Sequence, residues 1–207
     1  NGAVTLVADT TLTGNNVTFV DSLDGQYNLH IYDSGTTSFN GFVGATTPLQ
    51  SLTTASDIVA INGGGITVQD DMNFNWIGWP SAPSNGIQKV ILGGDTVLTT
   101  LVKQVPQYNF SWENTGITFL TSLDGAYQLT IQDMGTTRFN GLVGSETPLT
   151  SLTIHASLIA FTGDNRGVTT SDAQTYNGPS VTEGNDDFTG NNITFNGSIN
   201  SHGSHQY

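Results

Sequence analysis

The residues with the most distinctive chemistry in this chain are aromatic. Trp76 and Trp79 sit in the run N-F-N-W-I-G-W-P-S-A-P-S-N-G at 73–86, and Tyr108, Phe110 and Trp112 alternate in L-V-K-Q-V-P-Q-Y-N-F-S-W-E-N-T at 101–115. An exposed indole stacks on a sugar ring while neighbouring amides and hydroxyls bond its hydroxyl groups, so these five residues are the candidate ligand or partner contacts. The same rings have a structural use, covering a flank or an edge of the fold. Catalytic chemistry is harder to assemble. Polysaccharide-cleaving sites need convergent carboxylates for the acid and base roles. The adjacent pairs Asp70-Asp71 and Asp186-Asp187 point to opposite faces of an extended chain, so neither makes such a site alone. Asp24 and Asp124 each precede glycine at the same place in a repeat, which marks a turn. The chain has no Cys nucleophile, no G-x-S-x-G and no P-loop lysine. The expectation is a non-enzymatic chain with no cofactor. His202 and His205 are two potential ligands in a polar tail, short of a metal site. Gly63-Gly64-Gly65-Ile66 lacks the aspartate of a calcium-binding nonapeptide repeat. The sequons that begin at Asn16, Asn109, Asn192 and Asn196 are accounted for by a composition rich in Asn and Thr.

What positions these residues is a repeat. Residues 18–60 match 118–160 without a gap at an offset of 100, as SLDGQYNLHIYDSGTTSFNGFVG against SLDGAYQLTIQDMGTTRFNGLVG shows. VTLVADTTLT at 4–13 matches VILGGDTVLT at 90–99, and TGNNVTF at 13–19 matches TGNNITF at 189–195. Apolar residues alternate with polar ones, the period of a strand: Leu29 and Ile31 around His30, Leu52 between Ser51 and Thr53, Ile58 with Ala60, Ile66 with Val68. No stretch keeps helical spacing, and 25 glycines argue against long helices. The Asn-Gly pairs are compatible with hairpins, but gap-free repetition is what stacked rungs produce, like on like. Apolar steps of roughly 20–25 residues fit one turn of a three-faced coil. The prediction is an all-β, parallel β-helix (β-solenoid) of roughly 8–10 rungs, with Gly and Asn at the corners. It covers 1–207 as a single segment, with modules at about 1–75 and 87–176, a partial third at 177–207, and insertions at 76–88 and 101–115.

The elements ADTTLTGNNVTF, DGQYNLHIYDSGTTSFNGFVG, PLQSLTT, AQTYNG and TGNNITFNGSI resemble the repeats of filamentous-haemagglutinin-type and autotransporter adhesins. The resemblance covers most of the chain outside 76–88 and 101–115. It implies a right-handed β-helix, a secreted, extracellular or cell-surface location, and a role as stalk or contact surface. Unpaired strand edges at cut solenoid ends add the expectation of self-association or continuation of a longer chain, and the aromatic insertions that of a glycan or surface receptor as partner. The end sequences, Gly203 to Tyr207 and Asn1-Gly2, would when joined read Q-Y-N-G, close to the Q-x-Y-N-G pattern of 174–178, as head-to-tail stacking or a cut segment requires. The opening Asn1-Gly2-Ala3-Val4 is strand-like, so an export signal is expected to lie outside this sequence.

Charge narrows the partners. Only 10% of residues are charged, the net charge is −13, and Lys89, Lys103, Arg138 and Arg166 are the four bases. No basic patch can neutralise phosphates, so nucleic acid and membrane insertion are not expected. The chain has no cysteine, and a continuous solenoid core replaces disulfide staples. An ice-binding solenoid is disfavoured because Asp, Asn and aromatic residues interrupt the threonine rows. Two functional classes remain, a structural or adhesive fibre segment and a carbohydrate-binding β-helix that uses its tryptophans.

Overall fold

Alternating apolar residues separated by Gly- and Asn-rich corners fold into short strands, and every strand pairing among the described residues is parallel. The computed structural model describes residues 2–74, 88–101, 116–163, 167–183 and 186–201. These form a β-solenoid of about eight turns, with no helix among the described residues. At ~4.8 Å per turn the eight turns make a rod about 40 Å long. The Asn-Gly pairs at Asn40, Asn62, Asn140, Asn177 and Asn196 therefore lie at corners, and no hairpin forms among the described residues.

Each turn has three faces. Face I begins with Val4–Thr5 and Leu23–Asp24, passes through Val43, Gly65–Val68 and Thr96–Thr100, and ends on Ala173–Asn177 and Asn192–Phe195. Face II begins with Thr10–Gly14 and includes Met72–Phe74, Ile117–Phe119 and Ser180–Thr182. Face III runs through Val17–Phe19, Lys89–Leu92, Ser122–Asp124, Gly167–Thr169 and Asp187–Thr189. The long strands Asn28–Phe39, Ser51–Ile61, Gln128–Phe139 and Ser151–Phe161 each bend across a corner and contribute to two faces. The register shifts at these bends, between Asp33 and Thr36 and between Asp133 and Thr136.

The two copies of the repeat do not occupy the same faces. Leu23 lies on face I, stacked on Val43 and then Ile66. Leu123 lies on face III, stacked on Val90 and Val143. Leu29 belongs to face II and Leu129 to face I. Identical stretches are thus displaced around the axis by a third of a turn. Turn length varies along the rod, the circuit from Leu12 to Ile31 being shorter than the next, from Ile31 to Thr54. The circuits from Ile66 to Leu98 and from Leu98 to Ile131 are longer again, because each contains an insertion.

The core is one continuous stack. On face II, Phe74, Phe119, Phe139 and Phe161 lie in file with ring centroids 5.1–5.5 Å apart. Phe19 and Phe39 stack in the same way at 5.4 Å, but on face III. Each such side chain stabilises the fold by about 1.5–3 kcal/mol through burial alone. Leu29, Ile31, Leu52, Ile66 and Val68 are buried as their alternation predicts, whereas Ile58 and Ala60 are not. Val59 and Ile61 point inward there instead. The bend after Ser56 is crossed in three residues, which flips the parity of the alternation. Glycine is required where turns touch. A Cβ on Gly44 (φ 69°) or Gly144 (φ 70°) would stand 2.1 or 2.2 Å from the carbonyl oxygen of Thr67 or Thr169. Among the described residues, no helix is long and apolar enough to cross a membrane.

Candidate functional site

Trp76, Trp79, Tyr108, Phe110 and Trp112 lie outside the described residues, as do His202 and His205. The chain leaves face II after Phe74 and enters face III at Lys89, then leaves face I after Thr100 and enters face II at Ile117. The two insertions therefore depart from different corners of successive turns.

The recurrent aspartates occupy corners. Asp24 Oδ1 accepts the N–H groups of Thr46 (2.9 Å) and Thr47 (3.0 Å), and Asp124 Oδ1 those of Glu146 (2.8 Å) and Thr147 (3.2 Å). Asp9 accepts from Asn28 N–H at 2.9 Å, and Asp95 from Gln128 N–H at 3.0 Å. Backbone and side-chain donation from Asn28 holds the Asp9 carboxyl below its ordinary value. Asp33 takes N–H groups from Asn16 (2.7 Å), Val17 (2.8 Å) and Gly35 (3.0 Å), and the Thr37 hydroxyl (3.0 Å). Burial pushes the Asp33 carboxyl up, but these four donors outweigh it and hold the group below its ordinary value. Asp133 repeats the arrangement with Ile117 N–H (3.0 Å), Gly135 N–H (2.8 Å), and the hydroxyls of Thr100 (2.7 Å) and Thr137 (2.9 Å). Asp33 and Asp133, with two donors on each oxygen, are structural caps, because no acceptor site remains for a substrate proton, whereas Asp124 is held through Oδ1 and its buried Oδ2 has no partner among the described residues.

One pairing of carboxylates was not visible in the sequence. Asp71 Oδ1 accepts Gly116 N–H at 2.9 Å, and the Cβ position of Gly116 lies 2.6 Å from Asp133 Oδ2. Asp71 and Asp133 therefore flank the point where the chain rejoins the rod. Burial pushes the Asp71 carboxyl above its ordinary value. The Gly116 N–H opposes that shift, and the charges of Asp70 and Asp133 add to it. Among the described residues, no group of three His, Cys, Asp or Glu is placed to hold a metal.

A concavity of about 620 Å³ lies at the corner from face I to face II. Thr99, Gln132, His155 and Asn177 succeed one another in register along its wall, one per turn. Its floor includes Thr100 and Asp133, and Met134 and Ser157 form the opposite lip. The bulge between Asp133 and Thr136 throws Met134 outward. Beside this groove Thr130, Thr153, Thr175 and Thr194 form an unbroken file on face I. The sequence hides it, because the members are unevenly spaced, each step along the file being shorter than the last. The flanking files are amide, imidazole and small side chains, so no second threonine file completes a flat ice-like lattice.

No family model matches the chain, and no curated protein or solved structure is significantly similar to it.

Proposed function

We propose that this chain is a structural, adhesive segment of a secreted surface rod of the filamentous-haemagglutinin or autotransporter kind. The observation that carries the reading is the use of its carboxylates. The recurrent aspartates Asp24, Asp33, Asp124 and Asp133 each hold backbone N–H groups of a neighbouring turn or of their own bend. That design fixes the spacing of turns, and the full set of donors on Asp33 and Asp133 supports a structural use of these acids. The net charge of −13 favours a well-solvated rod that repels nucleic acid and anionic membranes. A solenoid has strand edges at both extremities of any segment, which pair with the rest of a longer chain or with another copy. Its location is extracellular or at the cell surface, and its work is mechanical reach and contact.

Negative-stain electron microscopy of the native material, with gold-labelled antibody against this chain on intact cells, tests the reading. Labelled stalks or filaments about one solenoid wide are expected, with each copy contributing about 40 Å of length. Label confined to the cell interior would overturn it.

A further inference from the structure

We propose that face I over its last four turns, with the groove along its edge, binds an uncharged, extended oligosaccharide lying parallel to the solenoid axis. The inference deepens the adhesive part of the function proposed above by naming the ligand class.

Charge is the first argument. The chain carries a net charge of −13, yet no Asp, Glu, Lys or Arg occurs in 128–132, 151–155, 173–177 or 192–196. Those four stretches stack in register as one surface that offers hydroxyls, amides and an imidazole to a ligand without formal charge, and the acid in the groove floor, Asp133, is buried with its oxygens taken by four donors. Available hydrogen-bonding groups are the second. Gln132 is exposed and no described residue engages its amide, and His155 is exposed with a ring nitrogen 3.4 Å from the Asn177 amide.

Rigidity is the third. Met134 N–H donates to the Thr100 hydroxyl (3.0 Å), which donates onward to Asp133 (2.7 Å). The Met134 carbonyl accepts the Ser157 hydroxyl at 2.9 Å. The lip is therefore pinned from both sides before any ligand arrives, which lowers the ordering cost of binding. Met134 is 48% exposed, and its thioether offers apolar surface to the C–H face of a sugar ring. The cavity volume of about 620 Å³ lies within the range of small-ligand sites.

Periodicity selects a polymer. Equivalent side chains recur every ~4.8 Å along the axis, which suits a linear chain of repeating hydroxyl groups. The internal repeat supplies a comparison. The corner frame of Asp133, Gly135 and Thr137 is the same as that of Asp33, Gly35 and Thr37. The groove residues differ: Gln132, Met134, His155 and Ser157 stand where the first copy has Tyr32, Ser34, Ala55 and Asp57. The second copy thus keeps its scaffold and replaces the acid at this lip with a hydroxyl.

The test is an NMR titration of the ¹⁵N-labelled full chain with chitohexaose and cellohexaose, both neutral, and with a heparin hexasaccharide as the charged probe. Shift changes confined to the turns holding Gln132, Met134, His155 and Ser157 are expected with at least one neutral probe, at a Kd of about 1 mM or tighter. The double variant Gln132→Ala/His155→Ala, both surface residues, should keep the spectrum of the fold and weaken binding roughly tenfold, about 1.4 kcal/mol. No response of these turns to either neutral probe at about 10 mM, stronger binding of the heparin fragment, or unchanged affinity in the double variant would each overturn the inference. None of these outcomes bears on the cell-surface labelling, so the rod reading is judged separately.

Discussion

Thr54 offers a sharp test of the stacked core. It points inward on face II between Ile31 and Phe74, it is fully buried, and its hydroxyl has no hydrogen-bond partner. Its counterpart in the second copy of the repeat is Ile154, equally buried. A buried hydroxyl with no partner costs about 1–3 kcal/mol. Thr54→Val removes that cost while keeping the shape, because a methyl replaces the oxygen. We expect a gain of about 2 kcal/mol, which for a chain of this size raises the melting midpoint by about 4–8 °C. Urea unfolding followed by circular dichroism should show the higher midpoint at an unchanged m-value. Thr54→Ile should gain less, since the extra methylene must find room in a packed file. Thr11→Val, on the same face but outward and exposed, is the control and should move stability by no more than about 0.5 kcal/mol. A Thr54→Val midpoint equal to or below that of the parent chain would mean that residue 54 does not sit in a dry core, and the face II register would fall with it.

Three further outcomes follow from the corners and the register. Asp133→Ala strands Ile117 N–H and Gly135 N–H and should cost about 3–5 kcal/mol, whereas Asp133→Asn, which keeps one acceptor oxygen, should cost less; thermal melts of the two variants check the order. Stability should depend on pH in two opposed ways. Asp71 is raised in the folded chain, so its contribution is complete below the ordinary carboxylate range and is lost as pH rises through the raised value; Asp33 is depressed, so its contribution is complete at neutral pH and is lost as pH falls through the lowered value. Asp71→Asn retains an acceptor for Gly116 N–H, so urea midpoints across pH 3–8 should show greater stability than the parent chain at neutral pH, an advantage that disappears in acid. Finally, the chain has no cysteine, so Thr99→Cys/Gln132→Cys creates a single possible disulfide between register partners; oxidation should close it quantitatively, as a non-reducing peptide map will show, and failure to close would contradict the pairing of these turns.

Much of the architecture could be read from residue order, because a solenoid writes its structure along the chain. Leu29, Ile31, Leu52, Ile66 and Val68 alternate in sequence and line the core in space. Asp24 and Asp124 were recognisable as turn residues for the physical reason that an acid before glycine caps a bend. The bends themselves were not legible. Crossing from Ser56 to Val59 takes three residues, so a strict alternation picks Ile58 and Ala60 where the chain buries Val59 and Ile61. The groove was hidden for a related reason. The step from Thr99 to Gln132 spans an insertion and is much longer than those from Gln132 to His155 and from His155 to Asn177, so no fixed period aligns the four. The insertion aromatics lie outside the described residues, and the hydrogen-bonding groups of the groove sit on ordinary strands.

The mismatch between copy length and coil length has a geometric consequence. From Leu23 to Leu123 the winding advances three circuits and two thirds, so the second copy faces a different compass bearing from the first. A polymer that reiterated this unit would retreat by one face at each copy and regain its original bearing after three. Whatever one copy carries on its flank would then climb the shaft like steps of a spiral stair, reaching surfaces on every side without any bending of the shaft.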